Sequence, residues 1–256
     1  MPFVTAGDSQ LYHEVHGAGT PVVLLHGIGG NHAVWFNQLP AFSARHRTIL
    51  MDQRGFGLST DAEGLGRSAM AADVLRVLDA LDIGRVVLVA QSMSGGAAVN
   101  VTCTHPDRVA ALVLADTVQG IALTPPEEAV LAESLEAQKV LTPAERVFGP
   151  SFVTQAPEQV ALYRLIASFN RYNARQIAGA FPVQTRERLA ATGVPLMMLA
   201  GADERRFPLA LFRSVQAGLP GSRYVEIERA GHSVYFERPA AFNAAVLGFI
   251  EESLAR

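Results

Sequence analysis

The chain holds one cysteine and one tryptophan in 256 residues. A lone Cys103 cannot close an internal disulfide, which excludes a stapled secreted scaffold and agrees with a reducing compartment. With Ala97, Val99 and Val101 as neighbours on a helix-compatible stretch, it reads as a buried, inert thiol. An excess of charge of one sign is also missing. Lys and Arg number 21 against 24 Asp and Glu, a net −3, which gives no reason to expect nucleic acid or an anionic membrane as partner. No run approaches the roughly 20 apolar residues of a membrane span. Met1 to Asp8 lacks the basic-then-apolar pattern of a signal peptide, so a cytoplasmic protein is expected. Nor is there a Gly-x-Gly-x-x-Gly spacing, a phosphate loop with Lys-Ser/Thr, or a His-Glu-x-x-His pair. Neither a nucleotide cofactor nor a metal is therefore expected. No internal repeat or low-complexity tract is visible.

What is present is 49% hydrophobic and 18% charged, an ordinary globular balance. A chain of this length buries roughly three quarters of its unfolded surface, enough for a large core without staples. Phe3–Thr5 and Leu11–Val15 read as an opening hairpin. Val22–Leu25, Thr48–Met51, Val86–Val89 and Ala111–Ala115 are short apolar blocks without polar alternation, as parallel strands covered on both faces should be. Helix-length segments, Asn31–Ser43, Ser68–Leu81 and Met93–His105, lie between them. This alternation implies a doubly wound α/β sheet. From about 118 to 186 it stops. Helix starts appear instead at Pro125-Pro126-Glu127-Glu128, Thr142-Pro143-Ala144-Glu145 and Ala156-Pro157-Glu158. Strands Leu196–Ala200 and Tyr224–Ile227, with helices Pro208–Leu219 and Pro239–Leu254, then resume the pattern. The expected organisation is a core of 1–117 and 187–256 with a helical cap of 118–186 inserted in it. A cap usually covers a site.

The chemistry concentrates where strands end. Val86-Val87-Leu88-Val89-Ala90-Gln91-Ser92-Met93-Ser94-Gly95-Gly96 runs from an apolar strand into a serine flanked by small residues and then into a helix. That is the form of a nucleophile elbow, a turn tight enough to expose and align a hydroxyl. Ala90 and Ser94 stand where the usual motif has glycine. Ser94 is a rival nucleophile, but the strand ends at Ala90, leaving one residue before Ser92 and three before Ser94, which favours Ser92. Its neighbour Ser94 is then expected to seek a backbone partner. His26-Gly27-Ile28-Gly29-Gly30 follows the strand Val22–Leu25, where glycines free backbone N–H groups to hold an oxyanion. Asp52-Gln53-Arg54 reads as a structural ion pair fixing a loop. Ala230-Gly231-His232 puts an imidazole on the loop after the last strand, at the rim where ligands bind in such sheets.

Together with His105-Pro106-Asp107-Arg108-Val109, these five motifs in this order resemble the α/β-hydrolase fold superfamily, in its small cap-bearing branch of esterases and enol-lactonases, over nearly the whole chain. The resemblance implies a mostly parallel doubly wound sheet with an inserted helical cap, and a triad in the order nucleophile, acid, histidine. The acid would come from Gly201-Ala202-Asp203-Glu204: Glu204 if the loop is counted without a gap, Asp203 with a one-residue shift, while Asp116 serves in some relatives. The implied reaction is acyl transfer on Ser92 with His232 as base and the N–H groups of Ile28 and Met93 as oxyanion hole. Gly27, Gln91 and Trp35 are expected to border the substrate, a small to medium ester or lactone. No cofactor, nucleic acid or membrane is implied, and the protein would be a monomer or homodimer. Arg164, Arg171 and Arg175 are candidates for a substrate carboxylate. Phe148, Phe152, Leu165, Ile166 and Phe169 are candidates for a pocket lining. Competing readings on the same fold are a carbon–carbon bond hydrolase, a cofactor-free lyase (Glu204-Arg205-Arg206-Phe207 resembles that branch) and a non-catalytic small-ligand receptor. The first often carries Trp soon after its histidine, whereas His232 is followed by Ser233-Val234-Tyr235.

Overall fold

The computed structural model describes residues 2–171 and 177–255. Its centre is an eight-stranded sheet: β1 (Phe3–Ala6), β2 (Ser9–His16), β3 (Pro21–Leu25), β4 (Arg47–Met51), β5 (Val86–Gln91), β6 (Val109–Ala115), β7 (Leu196–Gly201) and β8 (Arg223–Ile227). The order is β1-β2-β4-β3-β5-β6-β7-β8. Strands β1 and β2 pair antiparallel, β2 joins β4 antiparallel, and all later pairings are parallel. Parallel strands survive only if both faces are dry. The sequence of β5 meets that demand: Val86, Leu88 and Ala90 enter one core cluster and Val87 and Val89 the other. On the first face lie α2 (Met70–Ala80), α3 (Ser94–Thr104) and α8 (Leu209–Ala217), contributing Val74, Val99 and Phe212. On the second lie α1 (Leu39–Ser43), α9 (Val234–Glu237) and α10 (Pro239–Leu254), contributing Phe42, Tyr235 and Phe242.

The expected helix Asn31–Ser43 is broken. A 3-10 turn, His32–Trp35, is capped by the Asn31 side chain, which accepts from Ala33 N–H at 3.0 Å, and α1 starts only at Leu39. Pro40 at the start of α1 has no N–H for a continuous helix to use. The Thr142 start yields only a turn: Arg146 N–H reaches Thr142 O at 3.1 Å and Phe148 N–H reaches Ala144 O at 2.9 Å. Gly149-Pro150 then resets the chain into α5 (Pro150–Gln155).

Residues 118–186 leave and rejoin the sheet edge through a bridge between Ile121 and Gln184. The segment carries α4 (Pro125–Ala137), α5 and α6 (Pro157–Ser168), with Thr124 and Glu127 forming a capping box on α4. It is fastened to the rest by polar contacts. Asn170 donates to Gly29 O and accepts from Gly57 N–H, both at 2.8 Å. Asn31 donates to Ile166 O at 2.9 Å. Helix α7 (Arg186–Ala191) then leads into β7. Among the described residues no helix is long and apolar enough to cross a membrane. Cys103 is buried, and burial pushes its thiol pKa up, away from thiolate chemistry.

The pairing expected between Asp52 and Arg54 does not form. Arg54 grips Asp73 of α2 with two bonds of 2.7 Å and reaches Glu63 at 3.0 Å. Asp52 instead accepts from the N–H groups of His32 (2.6 Å) and Leu58 (2.8 Å). Two residues apart after a strand, the side chains diverge, and each finds its partner across a loop. The Arg54–Asp73 pair is 3% and 1% exposed, and removing Asp73 takes two bonds from a buried guanidinium that keeps only the more exposed Glu63 and Asp61 as partners. Asp73→Ala is expected to lower unfolding free energy by about 3–5 kcal/mol, read as a drop in urea midpoint. A shift under about 1 kcal/mol would show that Glu63 and Asp61 suffice to hold the Arg54 charge.

Candidate active site

Strand β5 ends at Gln91, and Ser92 follows with φ 51°, a left-handed conformation that a non-glycine residue adopts at a cost of order 1–3 kcal/mol. The strain is held from both sides. Ser92 N–H donates to Ala115 O and Gly95 N–H returns to Ser92 O, each at 3.0 Å. The hydroxyl of Ser94 lies within 2.8 Å of Leu25 O and 2.9 Å of Gln91 O, tying the turn to the end of β3. Here is the backbone partner expected for Ser94, which is buried and aimed away from the cavity that Ser92 lines. Glycine at 27 is required by close approach. A Cβ there would meet Gln91 Oε1 at 2.0 Å and Ser92 Cβ at 3.0 Å. Gly27 is thus a packing residue beneath the elbow.

Across the sheet edge, His232 Nε2 lies 2.7 Å from Ser92 Oγ, and its Nδ1 lies 2.6 Å from Glu204 Oε2. A carboxylate at Nδ1 accepts the proton there, which leaves the Nε2 lone pair for the serine hydroxyl. The other Glu204 oxygen accepts from Arg206 N–H at 2.6 Å. Of the two acids expected from this loop, Glu204 meets the imidazole. Asp203 does not bond to it; its own N–H is taken by Ala230 O at 2.8 Å. Asp116, the third candidate, is also elsewhere, with its two oxygens accepting from Gly201 N–H (3.0 Å) and Val234 N–H (3.1 Å). It spans the loops that carry Glu204 and His232.

Further side chains act on the same loop. The amide of Gln91 donates to His232 O at 2.7 Å. Glu237 accepts from Gly149 and Gly231 N–H, both at 2.8 Å. His26 is structural: Gln53 N–H donates to its Nε2 at 3.0 Å, so Nδ1 carries the proton and donates to Gly27 O at 2.8 Å. Burial lowers its pKa and keeps it neutral. Trp35 is not in the wall of the cavity at Ser92. Fully buried, its ring packs 4.4 Å from that of Tyr235, which corrects its expected place beside the substrate.

Ser92 and His232 open into a cavity of about 70 Å³ whose wall includes Ile28, Gln91, Val147 and Tyr163. Met93 directly precedes α3, whose N-terminus faces the serine. Among the described residues, no hydrogen bond engages the N–H of Ile28 or of Met93. A larger apolar cavity of about 430 Å³, bordered by Pro143, Phe148 and Val160, shares Val147 and Tyr163 with the first. Of the expected cap apolar residues, Phe148 borders this cavity, Phe152 and Ile166 are core, and Leu165 (62%) and Phe169 (74%) are exposed. Among the expected arginines, Arg164 borders the larger cavity, Arg171 is exposed, and Arg175 lies outside the described residues. The arginines at Ser92 are instead Arg146 and Arg206. Arg206 belongs to the Glu204-Arg205-Arg206-Phe207 stretch that resembles the lyase branch; Arg146 carries no sequence signal. Among the described residues, no group of three or more His, Cys, Asp or Glu could hold a metal ion.

With this geometry stands a family match. A model of the alpha/beta hydrolase fold family matches residues 20–164, more than half of the chain, and the chain belongs to that family. The putative carbamate hydrolase RutD of Azorhizobium caulinodans is 31% identical to it, covering 98% of this chain and 99% of its own. The 2-hydroxy-6-oxononadienedioate/2-hydroxy-6-oxononatrienedioate hydrolase of Cupriavidus pinatubonensis is also 31% identical, covering 97% and 94%. Among solved structures, a thermophilic esterase from Thermogutta terrifontis superposes with a TM-score of 0.81 at 25% identity, covering 98% and 97%.

Burial, working against the backbone donors at Gly149, Gly231 and Ser233, pushes the Glu237 pKa from 4.5 up to about 7. Between those values the folded chain binds a proton here that the unfolded chain does not. Stability at this site therefore falls as pH rises through the window, by on the order of 3 kcal/mol. Glu237→Gln removes that titration. The expected result is a urea midpoint that declines less than wild type's between about pH 4.5 and 7, whatever its absolute offset. Equal slopes for both proteins would refute the assignment.

Proposed function

We propose that this chain is a serine hydrolase that cleaves a small to medium carboxylic ester or lactone through an acyl-enzyme on Ser92. The observation that carries this reading is the unbroken hydrogen-bond line Glu204–His232–Ser92, with contacts of 2.6 and 2.7 Å. In the reaction, Ser92 Oγ attacks the carbonyl carbon as its proton passes to His232 Nε2. The N–H groups of Ile28 and Met93 hold the developing oxyanion, donors of this kind contributing about 3–4 kcal/mol each. Collapse of the tetrahedral adduct expels the alcohol oxygen, which takes the proton from His232; in a lactone the alcohol stays tethered. Water then attacks the acyl-enzyme, giving its proton to the same imidazole, and the acid leaves as Ser92 regains its hydrogen. Glu204 holds the productive tautomer and stabilises the imidazolium.

On this reading residues 118–186 act as a cap. They supply Val147 and Tyr163 to the wall over Ser92, and the adjoining apolar cavity takes the longer part of a substrate. The names of the three relatives given above agree with hydrolysis and differ in substrate, which is expected if chemistry lies in the core and selection in the cap.

Turnover of p-nitrophenyl acetate or butyrate tests the proposal. The expected outcome is hydrolysis with a phosphonate adduct on Ser92, both lost in Ser92→Ala. Glu204→Gln should lower kcat by about 10²–10⁴, as loss of the tautomer-setting acid does, while Asp203→Asn changes it less than about threefold. No turnover and no adduct with wild-type protein would reject hydrolysis in favour of ligand binding alone. A reversed ranking of the two acids would reject the role of Glu204.

A further inference from the structure

The cavity at Ser92 is lined by two arginines, Arg146 and Arg206, that ester cleavage does not itself require. Arg146 comes from the turn that fails to become a helix, and Arg206 from the loop two residues beyond Glu204. Arg146 is anchored through backbone carbonyls, donating to Leu141 O at 3.0 Å and Lys139 O at 3.1 Å. Arg206 lies against the Phe207 ring, 5.8 Å from its centroid, and its Nε is buried with no hydrogen-bond partner. Among the described residues, neither arginine has a carboxylate within 4.0 Å, in contrast to Arg54, Arg186 and Arg213. The nearby acid, Glu204, is already committed, one oxygen to His232 and the other to the N–H groups of Arg206 and Phe207. No Asp or Glu lines the cavity. Burial pulls the Arg206 pKa down, and the like charges of Arg146 and Arg67 add to this against the opposing pull of Glu204. The neighbouring Arg205 does not share the position; its carbonyl is held by Ser134 and Gln138, and its side chain does not line the cavity.

Two cations without a counter-ion in a partly dry cavity make a site for an anion. A planar fork of N–H donors suits a carboxylate best. We propose that the substrate carries a carboxylate, held by Arg146 and Arg206, close to the ester or lactone carbonyl presented to Ser92. This rests on the reading of Ser92 as nucleophile and adds the chemical class of what it cleaves. The small volume, about 70 Å³, puts the carboxylate within a few bonds of the scissile carbonyl. The larger apolar cavity beyond Val147 and Tyr163 is left for an uncharged extension.

Matched pairs of stable esters test this. Monomethyl succinate against methyl butyrate places the charge on the acyl side, and 4-acetoxybenzoate against its methyl ester places it on the alcohol side. The expected result is a kcat/KM at least about tenfold higher for the charged member of one pair, as a charge-assisted bidentate contact provides. Arg206→Gln and Arg146→Gln should each shrink that ratio about tenfold or more, and Arg206→Lys should keep part of it. Equal or better turnover of the uncharged member in both pairs overturns the proposal, as does a ratio unmoved by either glutamine variant. Ser92 labelling by a phosphonate and turnover of the neutral esters report the nucleophile separately. The carboxylate site therefore falls alone if those persist without charge preference. Succinate binding to Ser92→Ala, followed by calorimetry, reads the arginines without turnover: binding lost on adding Arg206→Gln supports the site, and no binding counts against it.

Discussion

The imidazole of His232 hangs on a loop between β8 and α9, and its two hydrogen bonds, to Ser92 and Glu204, join three strand ends that are far apart in sequence. A loop has no ladder of its own to hold a ring within a few tenths of an ångström. The neighbours supply the constraint. Gln91 grips the His232 carbonyl, Glu237 binds the backbone on either side, and Asp116 ties Val234 to Gly201. Each is buried, and each trades a desolvation cost for a fixed position. The raised pKa values of Asp116 and Glu237, driven first by burial, are the electrostatic trace of that trade. Three carboxyl groups around one loop are tolerated because only Glu204 faces the ring, while the other two are satisfied by backbone N–H groups.

The elbow shows the same logic in backbone form. Ser92 and Asp116 both sit at positive φ, at 51°, at the carboxyl ends of the neighbouring strands β5 and β6. Such conformations persist only where surrounding structure over-determines them. The sheet does so here: β5 and β6 are buried along their whole length, and Ser92 N–H continues their ladder onto Ala115 O. The large apolar core on both faces of the sheet absorbs local costs of a few kcal/mol that a smaller domain could not. A strained serine and a polar, charged cavity rim are therefore compatible with one stable fold.

The segment 118–186 couples to this rim at defined points. Asn170 bridges Gly29, one residue past Ile28, to Gly57, and Gly149 donates to Glu237 beneath the histidine loop. Whatever moves this segment also moves the walls supplied by Arg146, Val147 and Tyr163. The segment and the strand ends that carry Ser92, Glu204 and His232 are thus joined mechanically through a few hydrogen bonds.

Much of this was legible in the chain alone, for a local reason. Strands buried on both faces must be short and wholly apolar, and a turn between such a strand and a helix must be small-residued; Val86–Gln91 with Ser92 states both. The order of motifs likewise announced the family. What stayed open were contacts that depend on which way a loop turns after its strand. Glu204 rather than Asp203 reaches His232 because Asp203 N–H is drawn to Ala230 O, a partner 27 residues away in sequence. Arg54 chose Asp73 over Asp52, and Trp35 turned into the core rather than the cavity. Arg146 and Arg206, 60 positions apart, share one wall only because the failed helix at Thr142 folds over the acid loop. Periodicity and small-residue turns are read within a few residues, so the sequence by itself determined the sheet and the elbow. Side-chain partners across loops follow from long-range packing, and only the tertiary structure decided those.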